Sequence, residues 1–356
     1  MRDTSKKDMF YLWINIIFLV LGIVFKNKAF SAIFYLFMWL SLAFYGIRFS
    51  SKSDTALTMA NSTHIRGVSA IEIMLGHIGI LTGNLFQFPN RKAGILFVGL
   101  FFMLSGYGLA YGYANKVDYL SGFLRKRLIS IALPVVIVIL VEAIVYKKMS
   151  FMMIVSGSAR WYITELLVLY ILFYCTYRLF KKKGVVVIAI VSTIFVVIAF
   201  SVGMDNPWYG STLCFPLGMA YYGFRSSTKN YNLVKRGAYI FMLFVVVVVS
   251  IIGFFAYGDT LLGDVICRNV ASTSFCMAII LILEIVSVEN RFSLLLSGIS
   301  YEIYLLHPLM IKLCSDIPYV KDYVFLYTIT VTVVTLCGAW ILHSLCSRLL
   351  SRFKFV

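Results

Sequence analysis

The sequence is much richer in apolar residues than a soluble protein of its length would be. Of its 356 residues, 61% are hydrophobic and only 13% are charged, whereas soluble domains carry about 25% charged residues. This composition excludes a soluble enzyme and predicts a polytopic helical membrane protein. The formal net charge is +17, but there is no hydrophilic basic domain that could hold a nucleic acid. We therefore expect no nucleic-acid partner.

Apolar stretches recur along the chain, and each is long enough to cross a hydrocarbon core of roughly 30 Å. They predict an all-α fold with about twelve transmembrane helices. The predicted spans are residues 10–25, 29–47, 66–85, 93–113, 129–146, 161–180, 184–203, 208–224, 237–257, 262–288, 294–315 and 323–345. We expect residues 1–63 to form a two-helix hairpin and a polar linker, and residues 64–356 to form a ten-helix membrane domain.

The distribution of Lys and Arg predicts the orientation of these helices. With the N-terminus inside the cell, 22 of the 32 Lys and Arg residues lie at cytoplasmic helix ends. Cytoplasmic loops of membrane proteins are enriched in Lys and Arg. We therefore expect both termini to be cytoplasmic, which an even number of spans allows.

The cysteines predict neither a disulfide framework nor a metal site. None of the seven forms a C-x-x-C pair, and most lie within apolar runs, where a free cysteine behaves as a small hydrophobic residue. The sequence also contains no P-loop and no H-E-x-x-H motif. We expect no metal cofactor.

The first stretch that carries chemistry runs from Arg66 to His77. Eleven helical steps of about 100° place these two side chains on one face, about 16 Å apart along the axis. With Arg66 at the cytoplasmic surface, His77 would lie near the bilayer centre, where ionisable residues are costly and usually functional. A lone histidine in an apolar helix is otherwise more often a packing residue. Glu72 lies about 140° around the helix from His77, so we expect it to face another helix.

A second stretch, at residues 99–108, contains the small residues Ser105, Gly106 and Gly108. Small side chains allow either a neighbouring helix or a ligand to approach the backbone closely.

A third stretch places Arg125, Lys126 and Arg127 just before an apolar span. Such cations either anchor the helix at the lipid headgroups or bind the phosphates of a cytosolic ligand. The residues alone do not decide between helix packing and ligand binding for the small residues. They also do not decide between lipid anchoring and phosphate binding for the cations.

Together these stretches resemble the membrane-bound acyltransferase 3 family. The resemblance rests on Arg66 and His77, residues 101–107, Arg125 and Arg127 with Pro134, residues 161–167 and residues 300–308, in that order. It extends from Arg66 to the C-terminus. It implies an integral membrane enzyme that transfers an acyl group, expected to be acetyl from acetyl-CoA, to a hydroxyl of a cell-surface or exopolysaccharide sugar. It further implies the cytoplasmic membrane of a bacterium.

The resemblance also implies roles for individual residues. His77 and Arg66 would be catalytic, Arg125, Arg127, Ser105 and Gly106 would bind acyl-CoA, and Glu165, Trp161, Tyr301, Glu302 and His307 would bind the acceptor. Neutral imidazole, with an ordinary pKa of about 6.5, suits a base that deprotonates a hydroxyl. An acyl-histidine intermediate on His77 is the alternative. For His307, a hydrogen bond to a carbonyl freed by Pro308 is the alternative role.

The implied partners are acyl-CoA, a glycan or lipid-linked oligosaccharide, membrane lipids and proteins of envelope biosynthesis. A glycan or lipid-linked-sugar transporter, or a polysaccharide polymerase, would share the basic polytopic composition. The halves of the chain show no internal repeat, which is unfavourable to a common transporter architecture. A transporter or polymerase would also not consume a thioester.

Four further residues are predicted to have no catalytic role. Asp264 and Arg268 stand at i and i+4 and should form an ion pair on one helix face. His343 is expected to lie at the membrane interface. His64 is expected to be solvated in the linker before Arg66.

Overall fold

The described part of the protein is helical apart from the connecting turns and two three-residue strands. The computed structural model describes residues 10, 13–18, 20–21, 24, 47–49, 59–83, 88–147, 160–227, 233–288, 291–317 and 322–352. The strands are β1 (Ile47–Phe49) and β2 (Val286–Val288). The helices are α1 (Met59–Thr82), α2 (Phe88–Asn115), α3 (Phe123–Tyr146), α4 (Trp161–Phe180), α5 (Gly184–Ser201), α6 (Cys214–Ser227), α7 (Leu233–Tyr257), α8 (Arg268–Leu283), α9 (Arg291–Gly298), α10 (Ser300–Ser315) and α11 (Val324–Arg352). The predicted all-α class is confirmed.

Seven stretches of the described residues are helical, long and apolar enough to cross a membrane. They are Ser62–Thr82, Ala93–Asn115, Phe123–Tyr146, Trp161–Ser201, Arg236–Tyr257, Leu261–Leu283 and Val324–Arg352. The predicted span 29–47 lies outside the described residues except for its last residue, and the span 10–25 lies only partly within them. The described residues thus establish a multi-pass helical protein, and the number twelve stays a prediction.

Several predicted spans differ from the helices that form. Within residues 262–288, the helix ends at Leu283 and residues 286–288 form β2. Residues 208–224 were expected to form one span, but α6 begins at Cys214 and has only 14 residues, a length of about 21 Å. The residues before it form a short 3₁₀ helix (Asn206–Trp208) and a loop, because Pro207 and Gly210 do not favour α-helix. Residues 294–315 were expected to be continuous, but the helix is interrupted at Ile299, whose φ is −117°.

The helices α4 and α5 were predicted within about two residues of their observed ends. A 3₁₀ turn, Lys181–Lys183, separates them, and these three exposed cations interrupt an otherwise apolar stretch. After α5 the chain turns at Gly203, which has a φ of 73°. Glycine adopts this left-handed conformation without a steric cost.

The chain divides into two compact units. The first comprises Met1–Ser50, Met59–Gly94 and Val286–Ser347, and the second comprises Ser51–Thr58, Ile95–Ile285 and Arg348–Val356. In the first unit, α1 packs against α9 and α10. The strands β1 and β2 pair antiparallel, with Ile47 opposite Val288. Neither strand was predicted, because both begin at or near the end of an apolar run that also suits a helix.

The start of α1 corrects one expectation. The polar residues before Arg66 were predicted to form a solvated linker, yet α1 already begins at Met59. His64 is only 5% exposed, so the expectation that it is solvated was wrong. Further along the helix, Ile71, Met74 and Leu75 are fully buried and form its packed side.

In the second unit, reciprocal glycine contacts hold α2 against α6. A Cβ atom on Gly106 would lie 2.1 Å from the carbonyl oxygen of Phe215, and one on Gly218 would lie 2.0 Å from that of Met103. No real side chain fits at such distances. The two backbones therefore approach as closely as only glycine permits.

Buried ion pairs connect helices of the second unit. Arg160, just before α4, donates to Glu142 of α3, with 2.6 Å between Nη1 and Oε2. The predicted pair of Asp264 and Arg268 is confirmed, with Nε 3.0 Å from Oδ1, and the hydroxyl of Tyr209 donates to the same carboxylate. Each charge thus has a partner in an environment where an isolated charge would be costly.

The glycine contact predicts how single substitutions affect stability. We expect Gly218→Ala to lower the free energy of unfolding by about 1–3 kcal/mol, because its methyl group must displace the α2 backbone. Gly223→Ala on the same helix is the matched control, since a Cβ there would meet no atom within 4 Å. The apparent melting temperature of the detergent-solubilised variants measures the difference. Equal melting temperatures would contradict the close contact.

Candidate active site

His77 in α1 is exposed although its neighbours along the helix are buried. Gly76 is buried, and Leu75 and Ile78 are fully buried, whereas the His77 side chain is exposed. Its imidazole therefore lies at the surface of a packed helix and not in the packed core. A base that must meet a substrate needs this accessibility.

The ring of His307 in α10 lies next to the ring of His77. Their centroids are 5.0 Å apart and the planes are tilted by 53°. His307 is fully buried, and its Nδ1 lies 3.2 Å from the carbonyl oxygen of Ile303. Since a carbonyl only accepts, Nδ1 carries the proton in this contact. Nε2 then keeps a lone pair, and it has no hydrogen-bond partner among the described residues.

Glu302 pairs with His343, a contact that the sequence did not predict. Their Oε1 and Nδ1 atoms are 2.9 Å apart, with Glu302 buried and His343 partly exposed. His343 was expected only at the membrane interface. Because 41 residues separate the two positions, no local pattern indicates the pair. Tyr301 and Arg66 of the same unit are half-buried.

In the second unit, Glu165 is a buried carboxylate whose two oxygens make no well-formed hydrogen bond with the described part of the chain. The residue is 5% exposed, and neither carboxylate oxygen has a hydrogen-bond partner among the described residues. The Thr212 hydroxyl, the polar group that faces it, bonds the carbonyl oxygen of Trp208 at 3.2 Å. A buried carboxylate without firm partners is costly for stability.

Trp161 stands one helical turn before Glu165, on the same face of α4. The Trp161 ring centroid is 6.3 Å from that of Trp208, and both rings are half-buried. The hydroxyl of Ser211 is buried and unbonded within the described residues. This part of the second unit therefore combines indole rings with polar groups that can still accept hydrogen bonds.

The basic start of α3 is exposed. Arg125 and Arg127 both lie at the surface, and the Arg127 guanidinium is 6.0 Å from the ring centroid of Phe123 and 5.9 Å from that of Tyr170. Cation–π contacts of this kind orient a guanidinium without neutralising it.

The small-residue stretch of α2 is packed. Gly106 faces Phe215 as described above, and Ser105 is half-buried.

The predicted site residues are distributed over both units. The first unit holds Arg66, His77, Tyr301, Glu302 and His307, and the second holds Ser105, Gly106, Arg125, Arg127, Trp161 and Glu165. Within the first unit, His77 and His307 come together. Within the second, Trp161 and Glu165 share a helix face.

The comparison with protein families decides the class. The model of the acyltransferase domain of the acyltransferase 3 family matches residues 59–344, which is most of the chain. The chain belongs to this family. No curated protein and no solved structure matches it. The match begins where α1 begins, and the predicted domain boundary after residue 63 stays a prediction. With its apolar helices, this member of the family is a multi-pass membrane acyltransferase.

Two buried glutamates of the second unit allow structural and functional carboxylates to be distinguished. We expect Glu142→Gln to lower the free energy of unfolding by about 3–5 kcal/mol, because it removes the negative charge that pairs with the buried Arg160 guanidinium. Glu165→Gln should leave stability unchanged or higher, because it removes a buried carboxylate without a firm partner. Thermal unfolding in detergent measures both. A strong destabilisation by Glu165→Gln would show that this carboxylate is structural.

Proposed function

We propose that the protein is an acyl-CoA-dependent O-acyltransferase that moves acetyl from acetyl-CoA to a hydroxyl of a cell-surface or exopolysaccharide sugar. The observation that carries the proposal is the exposed imidazole of His77 beside the unbonded Nε2 of His307, in a chain of this family. A hydroxyl is a weak nucleophile near neutral pH and needs a base as it attacks.

His77 is the base in the proposed reaction. It takes the proton of the acceptor hydroxyl while the hydroxyl oxygen attacks the thioester carbonyl carbon. The new C–O bond forms, the C–S bond breaks, and the proton passes from His77 to the departing CoA sulfur. The products are the acylated sugar and CoA thiol. An acyl-histidine intermediate would require the same residue as nucleophile, and trapping of labelled acetyl on the protein separates the two routes.

His307 is proposed to select the tautomer of His77. Because Nδ1 of His307 donates to Ile303, its Nε2 can accept an N–H from the neighbouring ring. If the N–H of His77 points at this acceptor, the other His77 nitrogen is unprotonated and can act as base. A small rotation of either ring from the 5.0 Å centroid separation suffices for this contact.

The donor is proposed to bind at the basic start of α3. Arg125 and Arg127 are exposed, and guanidinium groups bind phosphate oxygens in a bidentate manner. We further propose twelve spans with both termini in the cytoplasm of a bacterium, which places this site and Arg66 on the cytosolic side, where acyl-CoA is available. The excess of Lys and Arg at these helix ends supports this orientation.

The acceptor is proposed to bind near Trp161 and Glu165. The indole ring offers a flat apolar face to a sugar ring, and the unbonded carboxylate of Glu165 can accept hydrogen bonds from sugar hydroxyls. Tyr301 and Glu302, in the first unit, are likewise proposed to bind acceptor hydroxyls. Both a glycan and a lipid-linked oligosaccharide present the hydroxyl groups that such residues bind.

The role of His77 is tested by substitution. We expect His77→Ala to reduce acetyl-CoA-dependent O-acetylation of glycan in membranes by about 10²–10⁴-fold, the usual contribution of a general base. The matched control is Ile80→Ala on the same helix, at a residue that is 57% exposed. Undiminished activity of His77→Ala would remove His77 from the chemistry. Absence of thioester turnover in the wild-type protein would favour a glycan or lipid-linked-sugar flippase.

The donor site is tested by a separate kinetic measurement. We expect the double variant Arg125→Gln/Arg127→Gln to raise the KM for acetyl-CoA by about 10–100-fold with little change in kcat, because these side chains contact the phosphates and not the reacting atoms. Lys126→Gln, between them in sequence, is the control and should have a smaller effect, since an ammonium group does not bind phosphate as a fork. An unchanged KM in the double variant would assign these residues to lipid headgroups.

A further inference from the structure

A cluster of tyrosine side chains lies at the end of α2, in the second unit. The Tyr111 side chain is 50% exposed. Its ring centroid is 5.9 Å from that of Tyr222 in α6, and the two planes are nearly perpendicular at 83°. Tyr107 is buried, and its ring packs edge-on against Tyr222 with the centroids 5.5 Å apart. Packing therefore fixes the Tyr222 ring, while much of the Tyr111 ring stays accessible.

Asn115 joins this cluster through its side-chain amide. Its Nδ2 donates to the carbonyl oxygen of Tyr111 at 2.9 Å and to the hydroxyl oxygen of Tyr222 at 2.8 Å. Because a carbonyl only accepts, the amide atom that faces Tyr111 must be the nitrogen. Both Nδ2 hydrogens are then used, and Oδ1 is left as an acceptor. The Tyr222 hydroxyl accepts one of these bonds, so its own proton is left to donate.

The cluster offers the features that bind a purine base. An exposed tyrosine ring provides a flat face on which a base can stack. Oδ1 of Asn115 and the hydroxyl of Tyr222 present an acceptor beside a donor, and Asn115 is exposed. The edge of adenine presents the complementary pair, since its N6 amino group donates and an adjacent ring nitrogen accepts. The side chains therefore match both the face and the edge of adenine.

The cluster lies next to the basic start of α3. Tyr119, in the turn between α2 and α3, packs on Gly112, and its hydroxyl oxygen would lie 2.8 Å from a Cβ atom at that glycine. The same hydroxyl faces the Arg127 guanidinium. One tyrosine side chain therefore separates the last turns of α2 from Arg127. In CoA, a single ribose likewise separates the adenine from the nearest phosphates.

We propose that Tyr111, Asn115 and Tyr222 bind the adenine base of the acyl-CoA donor. The base stacks on the Tyr111 ring, its N6 amino group donates to Oδ1 of Asn115, and a ring nitrogen accepts from the Tyr222 hydroxyl. The phosphates then reach Arg127 across Tyr119. This assignment rests on the proposed function, in which acyl-CoA binds at the start of α3. It adds to that site the residues that recognise the base.

Calorimetric titration of the full-length protein in detergent with CoA and with etheno-CoA tests the proposal. In etheno-CoA a carbon bridge blocks N1 and N6 of the base, while the phosphates and the pantetheine arm are unchanged. We expect etheno-CoA to bind the wild-type protein about tenfold or more weakly than CoA, because the paired contacts to the base edge are lost. Equal binding of the two would overturn the base assignment alone. Failure of CoA itself to bind would overturn the proposed donor site as well.

Three variants locate the bound base. Asn115→Leu removes the acceptor, so it should weaken CoA binding about tenfold and abolish the preference over etheno-CoA. Tyr111→Leu removes the stacking ring and should weaken the binding of both nucleotides about tenfold. Tyr113→Leu is the matched control, since Tyr113 lies about 200° around α2 from Tyr111 and packs against Tyr177. Wild-type CoA affinity in Tyr111→Leu, or an equal loss in Tyr113→Leu, would exclude this cluster. These are equilibrium binding measurements, so they do not depend on thioester turnover.

Discussion

The pairing of charges inside an apolar helical protein is the constraint on which the rest of the structure depends. A buried ion without a partner costs several kcal/mol, and in a membrane there is no water to reduce that cost. The second unit pairs Glu142 with Arg160, and Glu284 with Arg225 and Arg236, across separate elements, and it pairs Asp264 with Arg268 within one helical stretch. The Glu165 carboxylate and the neutral Nε2 of His307 are among the described groups without a hydrogen-bond partner, and the proposed function gives each of them a role.

Much of the helical framework could be predicted because apolar run length and charge suffice for it. The runs in α4, α5 and α7 have no competing signal, and their ends are close to the predicted ones. The prediction was wrong where local chemistry opposed the apolar pattern. Pro207 and Gly210 delay the start of α6, and the chain leaves the helix at Ile299. At the start of α1 the polar composition was misleading, because tertiary packing makes His64 part of a helix.

The candidate site was only partly predictable from sequence. His77 could be identified because an ionisable residue deep within an apolar helix is costly and usually functional. The pair of Glu302 with His343 could not be found, since it joins residues 41 positions apart. The same holds for Glu284, whose partner Arg225 is 59 positions away. Contacts of this kind arise from tertiary packing and leave no periodicity in the sequence. The structure therefore shows which described polar groups have a hydrogen-bond or ion-pair partner and which do not.

The close approach of α2 and α6 at Gly106 and Gly218 has a consequence for comparing members of the family. Both glycines are required by the spacing of two backbones, whatever chemistry the protein performs. A relative that kept them but lost His77 would retain its fold and its family match, yet it would lack the proposed base. Evolutionary retention of the glycines thus reports on architecture. Retention of the histidine would instead bear on the proposed role of His77 as the base.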